Sequence, residues 1–175
     1  MINKNTTGQN MSTHHSANIT NGKHHQAAGF LHDLWTRKAR CAALPDDQRP
    51  VDRREGYAVQ AAFAQIHGSP AMGWKIAATS IDGQRHIGVD GPLAGRIYQD
   101  RMLPVGANVS LKSNLMHVAE IEFAFSFAKA MPLRSGEYSV AEVLDAVAAV
   151  HPSIEIPDSR YDDFVTVGAP QLIAD

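Results

Sequence analysis

Met116-His-Val-Ala-Glu-Ile-Glu-Phe-Ala-Phe-Ser-Phe-Ala128 is the stretch that decides the fold class. Its side chains alternate. Ala119, Ile121, Phe123, Phe125 and Phe127 fall on one face, and Val118, Glu120, Glu122, Ala124 and Ser126 on the other. That period belongs to a β-strand, and three phenylalanines in register predict a face packed into a core. The opposite face carries two carboxylates whose Cα atoms are about 6.7 Å apart at the rise of a strand. Neighbouring carboxylates repel unless a proton or a cation lies between them. A hard divalent ion such as Mg²⁺ takes oxygen ligands of this kind. The plain alternative is a half-solvated strand with two surface glutamates.

A second alternation, His151-Pro-Ser-Ile-Glu-Ile-Pro-Asp-Ser-Arg160, puts Ile154 and Ile156 on one side and Glu155 on the other. Between the two strands, Val140, Val143, Leu144, Val147 and Val150 recur at helical spacing, predicting a helix over 139–150. A strand–helix–strand path can return the second strand beside the first, with all three glutamates facing one way. In Ala71-Met-Gly-Trp-Lys-Ile-Ala-Ala-Thr79, Lys75 shares a face with Gly73, Ala77 and Thr79. Small neighbours leave room beside the ammonium for an anion, although a lysine on a strand is most often simply solvated.

These motifs resemble the 2-keto-4-pentenoate hydratase family of the fumarylacetoacetate hydrolase superfamily, which includes the 4-oxalocrotonate decarboxylases. The resemblance is carried by Gly73-Trp-Lys-Ile76, Ile87-Gly-Val-Asp-Gly-Pro-Leu-Ala-Gly95, Ala119-Glu-Ile-Glu122, Ile154-Glu-Ile156 and Asp158-Ser-Arg160, in the family's order and from about Phe30 onward. It implies a Mg²⁺ or Mn²⁺ site made by Glu120, Glu122 and Glu155, with Lys75 in the same pocket. It further implies metal chelation of a 2-oxo acid, enolate stabilisation and addition of water to a short dienoate. The family's hydratases often carry an aspartate directly after the proline of the glycine-rich loop; here Leu93 stands there, and Asp90 is the acid nearest to it in sequence. The resemblance also implies a chain shortened at its C-terminus, because family members continue with further strands; without such strands, edges and apolar faces stay uncovered.

The 175 residues, 44% of them apolar, fit a single globular domain. The net charge of −2 gives no electrostatic case for nucleic acid or an anionic membrane. No apolar run approaches the length of a bilayer span, and the N-terminus lacks the apolar core of a secretory signal. One cysteine, Cys41, excludes an intrachain disulfide framework and is expected on a helix as a core or half-buried thiol. Residues 1–26 are polar, with His14-His15 and His24-His25, and are expected to be a disordered tail. A helix is expected from about Gly29 to Ala43, and a second from about Asp52 to His67, ended by Gly68-Ser69-Pro70. The segment 82–95 is expected to be a mobile loop, with short strands over 96–104 and 107–111. His117 is expected to be a packed or hydrogen-bonded histidine rather than a metal ligand.

The expected architecture is α+β: N-terminal helices on a mixed sheet, a partial β-roll of the superfamily, in one domain over 27–175. The expected protein is a cytoplasmic, metal-dependent hydratase of 2-oxo acids. It would work in aromatic-compound breakdown, as a homo-oligomer or with a family homologue, and without nucleic acid or membrane. A decarboxylase of the same family, and a non-catalytic subunit that binds a full-length homologue, are the alternatives.

Overall fold

The computed structural model describes residues 11–175, with side chains from residue 22 onward. Its elements, in order, are α1 (Met11–Arg37), α2 (Arg53–His67), β1 (Ala71–Ala77), α3 (Ile81–His86), β2 (Leu93–Tyr98), β3 (Glu120–Phe127), α4 (Val140–Ala146), β4 (Val147–Glu155) and α5 (Ala169–Ala174). The α+β class stands. The sheet is two antiparallel ribbons, β1–β2 and β3–β4, in place of the mixed sheet expected. Where one domain is expected from length, the contacts divide the chain into two units: Met1–Ser113 with Ser159–Asp175, and Asn114–Asp158.

The first unit is built on α1 and α2. Asp52 caps α2 by accepting from the Glu55 N–H at 2.8 Å, and Gly68 ends it in the left-handed conformation at φ 74°. Both boundaries follow from the sequence. Those of α1 do not. It starts at Met11, inside the tail expected to be disordered to Gln26, and ends at Arg37. Residues 1–10 of that tail lie outside the described residues, as do the side chains of His14 and His15. From Lys23 onward, packing accounts for helix ahead of the expected start near Gly29. Ala27, Ala28 and Leu31 are fully buried in a cluster with Val59 and Phe63. One turn earlier, His24 is buried and Lys23 pairs with Glu55 at 2.9 Å. Removal of residues 1–26 should therefore lower the melting temperature by several degrees, because a buried contact and a partly buried ion pair go with it. A thermal melt of the truncated chain checks this; an unchanged melt would show that the helix holds without its first turns.

Lys38 adopts φ 54°, and the amides of Lys38 and Ala39 reach back to the carbonyls of Trp35 (3.2 Å) and Leu34 (2.9 Å). That pairing ends α1 six residues before the expected stop. Cys41 is thus in an extended segment, half-buried as expected but bridged to Tyr161 instead of helical. Burial, with Asp162 and Asp175 nearby, pushes its thiol pKa up.

Two long-range contacts tie β2 to α2, and a third ties α2 to α5. The Gln60 side chain donates to the carbonyls of Ala94 (2.9 Å) and Ile173 (3.0 Å), and the Ala94 N–H donates to the Tyr57 hydroxyl (3.1 Å). A Cβ on Gly56 would lie 2.5 Å from the Pro170 carbonyl, so only glycine lets α2 approach α5 here. The segment expected as a mobile loop holds α3, capped by Ser80, and the start of β2. Past β2 the chain makes a 3₁₀ turn over Gln99–Arg101, and no strand forms over 107–111.

In the second unit, α4 opens with a capping box between Ser139 and Glu142. Arg134 and Ser139 hold the Glu142 carboxyl pKa down at about 2. The helix expected to Val150 stops at Ala146, and Val147 begins β4. Pairing of Phe127 with Val147 and of Ser126 with Ala149 draws these residues into the ribbon, with a bulge at the register shift. Ribbon pairing overrides a local pattern that fits either state, as it commonly does for short apolar runs.

One expectation is overturned outright. The apolar face of β3 is not packed into a core: Phe123 is 71% exposed, and every residue of β3 is exposed. His117, expected to be packed or hydrogen-bonded, is exposed as well, at φ 54°. On β1 the pattern is similar, with Met72, Trp74 and Ile76 exposed and the Arg96 guanidinium lying 4.6 Å above the Trp74 ring.

Candidate metal centre

The register of the second ribbon sets the position of its acids. Glu120 is paired with Glu155, Ile121 with Ile154, and Glu122 with Ser153. Residues directly opposite each other in an antiparallel pair share a face. Glu120, Glu122 and Glu155 therefore stand together on the face opposite the phenylalanines. Each offers a carboxylate oxygen, and the three oxygens lie within 4.8 Å of one another. The expected return of the second strand beside the first thus brings all three glutamates together.

The root of this ribbon is fastened by side chains that the strand pattern does not reveal. The Leu115 N–H donates to Asp158 Oδ1 at 3.0 Å, and the Asn114 amide donates to the Pro157 carbonyl at 2.8 Å. The His117 N–H donates to Asn114 Oδ1 at 2.6 Å. Together they join the entry to β3 with the exit from β4, next to the Glu120–Glu155 pair. At the other end of the same face, the Ser126 hydroxyl and His151 Nε2 are 3.2 Å apart.

Three carboxylates on one exposed face fit a hard divalent cation. Around Mg²⁺, with ligands at about 2.1 Å in an octahedron, neighbouring oxygens lie about 3.0 Å apart and opposite ones about 4.2 Å. The three oxygens, within 4.8 Å of one another, lie on that scale. Oxygen donors alone, without sulfur or imidazole, favour Mg²⁺, Mn²⁺ or Ca²⁺ over Zn²⁺.

Lys75 and Asp90 belong to the first unit. Lys75 is half-buried on β1 opposite Gly95, and a Cβ at Gly95 would lie 3.0 Å from its Cγ and Cδ. The lysine stem thus crosses the ribbon closely over Gly95, where a larger residue would press on it. Asp90 is exposed and held by Arg53, with Nε at 3.0 Å from Oδ1. The Arg53 guanidinium pushes the Asp90 carboxyl below its ordinary range. Arg53 also donates to the carbonyls of Gly91 (3.2 Å) and Pro92 (3.1 Å), so it shapes the whole turn. Sequence reasoning missed Arg53; its only signal was an arginine at the start of a helix. Leu93 is buried at the start of β2. In the Asp158-Ser159-Arg160 motif, Asp158 braces the ribbon root, while Ser159 and Arg160 both bind the Asp175 carboxylate.

With this geometry in view, comparison with known proteins is informative. No family model matches the chain. It is 28% identical over 149 residues to a 2-keto-4-pentenoate hydratase of Paraburkholderia xenovorans, a match covering 83% of this chain and 55% of the relative. It is 32% identical over 100 residues to a 4-oxalocrotonate decarboxylase of Pseudomonas sp. strain CF600, covering 57% of this chain and 37% of the relative. The chain therefore spans about half, or less, of the length of these relatives. Among solved structures, 4-oxalocrotonate decarboxylase from Pseudomonas putida G7, complexed with magnesium and adipate, superposes with a TM-score of 0.73 at 21% identity, over 87% of this chain and 58% of that one. In sequence the chain is thus similar to 2-keto-4-pentenoate hydratases and 4-oxalocrotonate decarboxylases, and in fold to a 4-oxalocrotonate decarboxylase.

Proposed function

We propose that this chain carries the metal centre of a hydratase of 2-oxo acids, a hydro-lyase that adds water to a 2-hydroxypenta-2,4-dienoate-type substrate to give a 4-hydroxy-2-oxo acid. The observation that carries the reading is the convergence of Glu120, Glu122 and Glu155 within 4.8 Å on one ribbon face. Mg²⁺ or Mn²⁺ bound there would supply Lewis acidity toward the carboxylate and 2-oxo oxygens of the substrate. The three glutamates supply negative charge and fixed oxygens on a braced ribbon. Lys75 supplies a cation for the substrate's carboxylate, or a proton donor, on a stem confined by Gly95. Asp90, ionised beside Arg53, is suited to hold the turn before Leu93 and to accept a proton when that pair opens. Breakdown of aromatic compounds in the cytoplasm is the setting this chemistry fits, and among the described residues no helix is long and apolar enough to cross a membrane.

One observation favours the decarboxylase of the same family as a second reading: Leu93, a buried apolar residue, stands where the hydratases often have an acid. The test is turnover by the purified chain with Mg²⁺ or Mn²⁺. Hydration removes the ultraviolet absorbance of 2-hydroxypenta-2,4-dienoate, whereas decarboxylation releases carbon dioxide from 4-oxalocrotonate. Metal-dependent loss of the dienoate supports the hydratase, release of carbon dioxide the decarboxylase, and neither product a non-catalytic subunit.

Lys75→Ala should weaken binding of oxalate, a mimic of the chelating 2-oxo acid, by about tenfold or more, since a charge-assisted contact is lost. It should change Mn²⁺ affinity much less. Calorimetry with each ligand checks the split, and equal losses would assign Lys75 to the fold.

A further inference from the structure

Glu120 opens β3 and Glu155 closes β4, so two of the three converging acids form the last rung of their ribbon. The end of a two-stranded ladder is where pairing opens first. Repulsion among the three carboxylates pushes the same rung apart. At the far end of the ribbon the backbone keeps the strands together, because the amides of Ala128 and Lys129 both reach the Ala146 carbonyl, at 2.9 and 3.4 Å. At the acidic end, side chains take over from the ladder. Asp158 Oδ1 accepts from the Leu115 N–H at 3.0 Å, and the Asn114 side-chain amide donates to the Pro157 carbonyl at 2.8 Å. Each bond crosses from the entry of β3 to the exit of β4. Asn114 Oδ1 also accepts from the His117 N–H at 2.6 Å and closes a tight turn. That turn ends on His117 at φ 54°, a conformation that residues with a side chain rarely adopt. Asn114, Leu115, Pro157 and Asp158 are half-buried, although β3 itself is exposed throughout.

We propose that Asp158 and Asn114 are positioning residues of the metal centre, a clasp that holds the last rung closed and keeps Glu120 and Glu155 within reach of one ion. The inference rests on the metal reading above and adds the groups that set the ion's affinity. Asp158 is not among the acids whose oxygens converge, so it acts through the backbone and not as a ligand. An ion that meets carboxylates already held together binds more tightly than one that must gather them, because the ordering is done before it arrives. The clasp acts close to the ligands: Asp158 follows Glu155 by three residues, and Leu115 precedes Glu120 by five. Two variants separate its bond from its charge. Asp158→Ala removes both the acceptor oxygen and the negative charge. Asp158→Asn removes the charge alone and keeps an oxygen for the Leu115 N–H.

Calorimetric titration of the full chain with Mn²⁺ should show Asp158→Ala binding about tenfold more weakly than the wild type, the low end of what groups behind metal ligands contribute. Asp158→Asn should bind close to the wild type. Without metal, hydrogen exchange over residues 115–122 should quicken in Asp158→Ala and return toward the wild-type rate in Asp158→Asn, with residues 125–129 unchanged. Asn114→Ala, which breaks the other crossing bond, should repeat the Asp158→Ala pattern and serves in its place if that variant does not fold. Equal losses of Mn²⁺ affinity in Asp158→Ala and Asp158→Asn would assign the effect to charge and overturn the proposal. So would exchange over 115–122 that Asp158→Ala leaves unchanged, or exchange that quickens equally along the whole ribbon. Failure of the metal reading looks different: the wild type then takes up no Mn²⁺, and the positioning role falls with it. Equal Mn²⁺ affinity in the wild type and Asp158→Ala removes the clasp and leaves the metal centre standing.

Discussion

Glu120→Gln, Glu122→Gln and Glu155→Gln should each weaken Mn²⁺ binding at least about tenfold, because Gln keeps the size and one carbonyl oxygen but removes the charge a hard cation needs. The same substitutions should leave the metal-free chain as stable or slightly more stable, since three carboxylates with oxygens within 4.8 Å repel one another. These opposite signs separate a metal centre from three ordinary surface glutamates. Thermal melts of the four proteins with and without Mn²⁺ read both at once, because a ligand that binds only the folded chain raises its melting temperature. If Mn²⁺ shifts all four equally, or none, the three glutamates are not its ligands.

The largest loss of stability should come from Asp175→Ala. Its carboxylate accepts from Arg160 and from the Ser159 hydroxyl, the latter at 2.9 Å, and the exposures of the Arg160 and Asp175 side chains are only 11% and 8%. Arg160 also lies 5.1 Å above the Trp35 ring, which stacks in turn on Phe63 and His67. Removing the side-chain acid takes the carboxylate from a guanidinium with little water and leaves it only its contact with the Asp175 main-chain oxygen, a loss of about 2–3 kcal/mol by comparison with buried pairs. Urea denaturation should show the midpoint falling with an unchanged slope. A loss under about 1 kcal/mol would place the pair in the class of solvated surface bridges.

The candidate centre was legible in the sequence because strand alternation is strict. Once Glu120, Glu122 and Glu155 were assigned to strands, only the register was open, and pairing of Glu120 with Glu155 closed it. The ends of α2 were legible because Asp52 and Gly68 act within one turn. What stayed hidden depends on distant partners. The early start of α1 rests on contacts with α2, and Asp90 is tied to Arg53, 37 residues away. Asp158 looks like a loop acid until the Leu115 amide is found beside it. Val147 and Val150 suit a helix and a strand equally, and pairing with β3 decides. The phenylalanine face shows the opposite limit. Alternation reveals that Phe123, Phe125 and Phe127 share a face, but says nothing of what covers it.

One divalent ion should bind to Glu120, Glu122 and Glu155 and take up a 2-oxo acid there. Mn²⁺ titration of the wild-type chain, followed by electron paramagnetic resonance, tests it most directly. One ion per chain should bind, Mg²⁺ should displace it, and oxalate should change the spectrum of the bound ion. A stoichiometry of zero, or a spectrum that oxalate leaves untouched, would contradict the account.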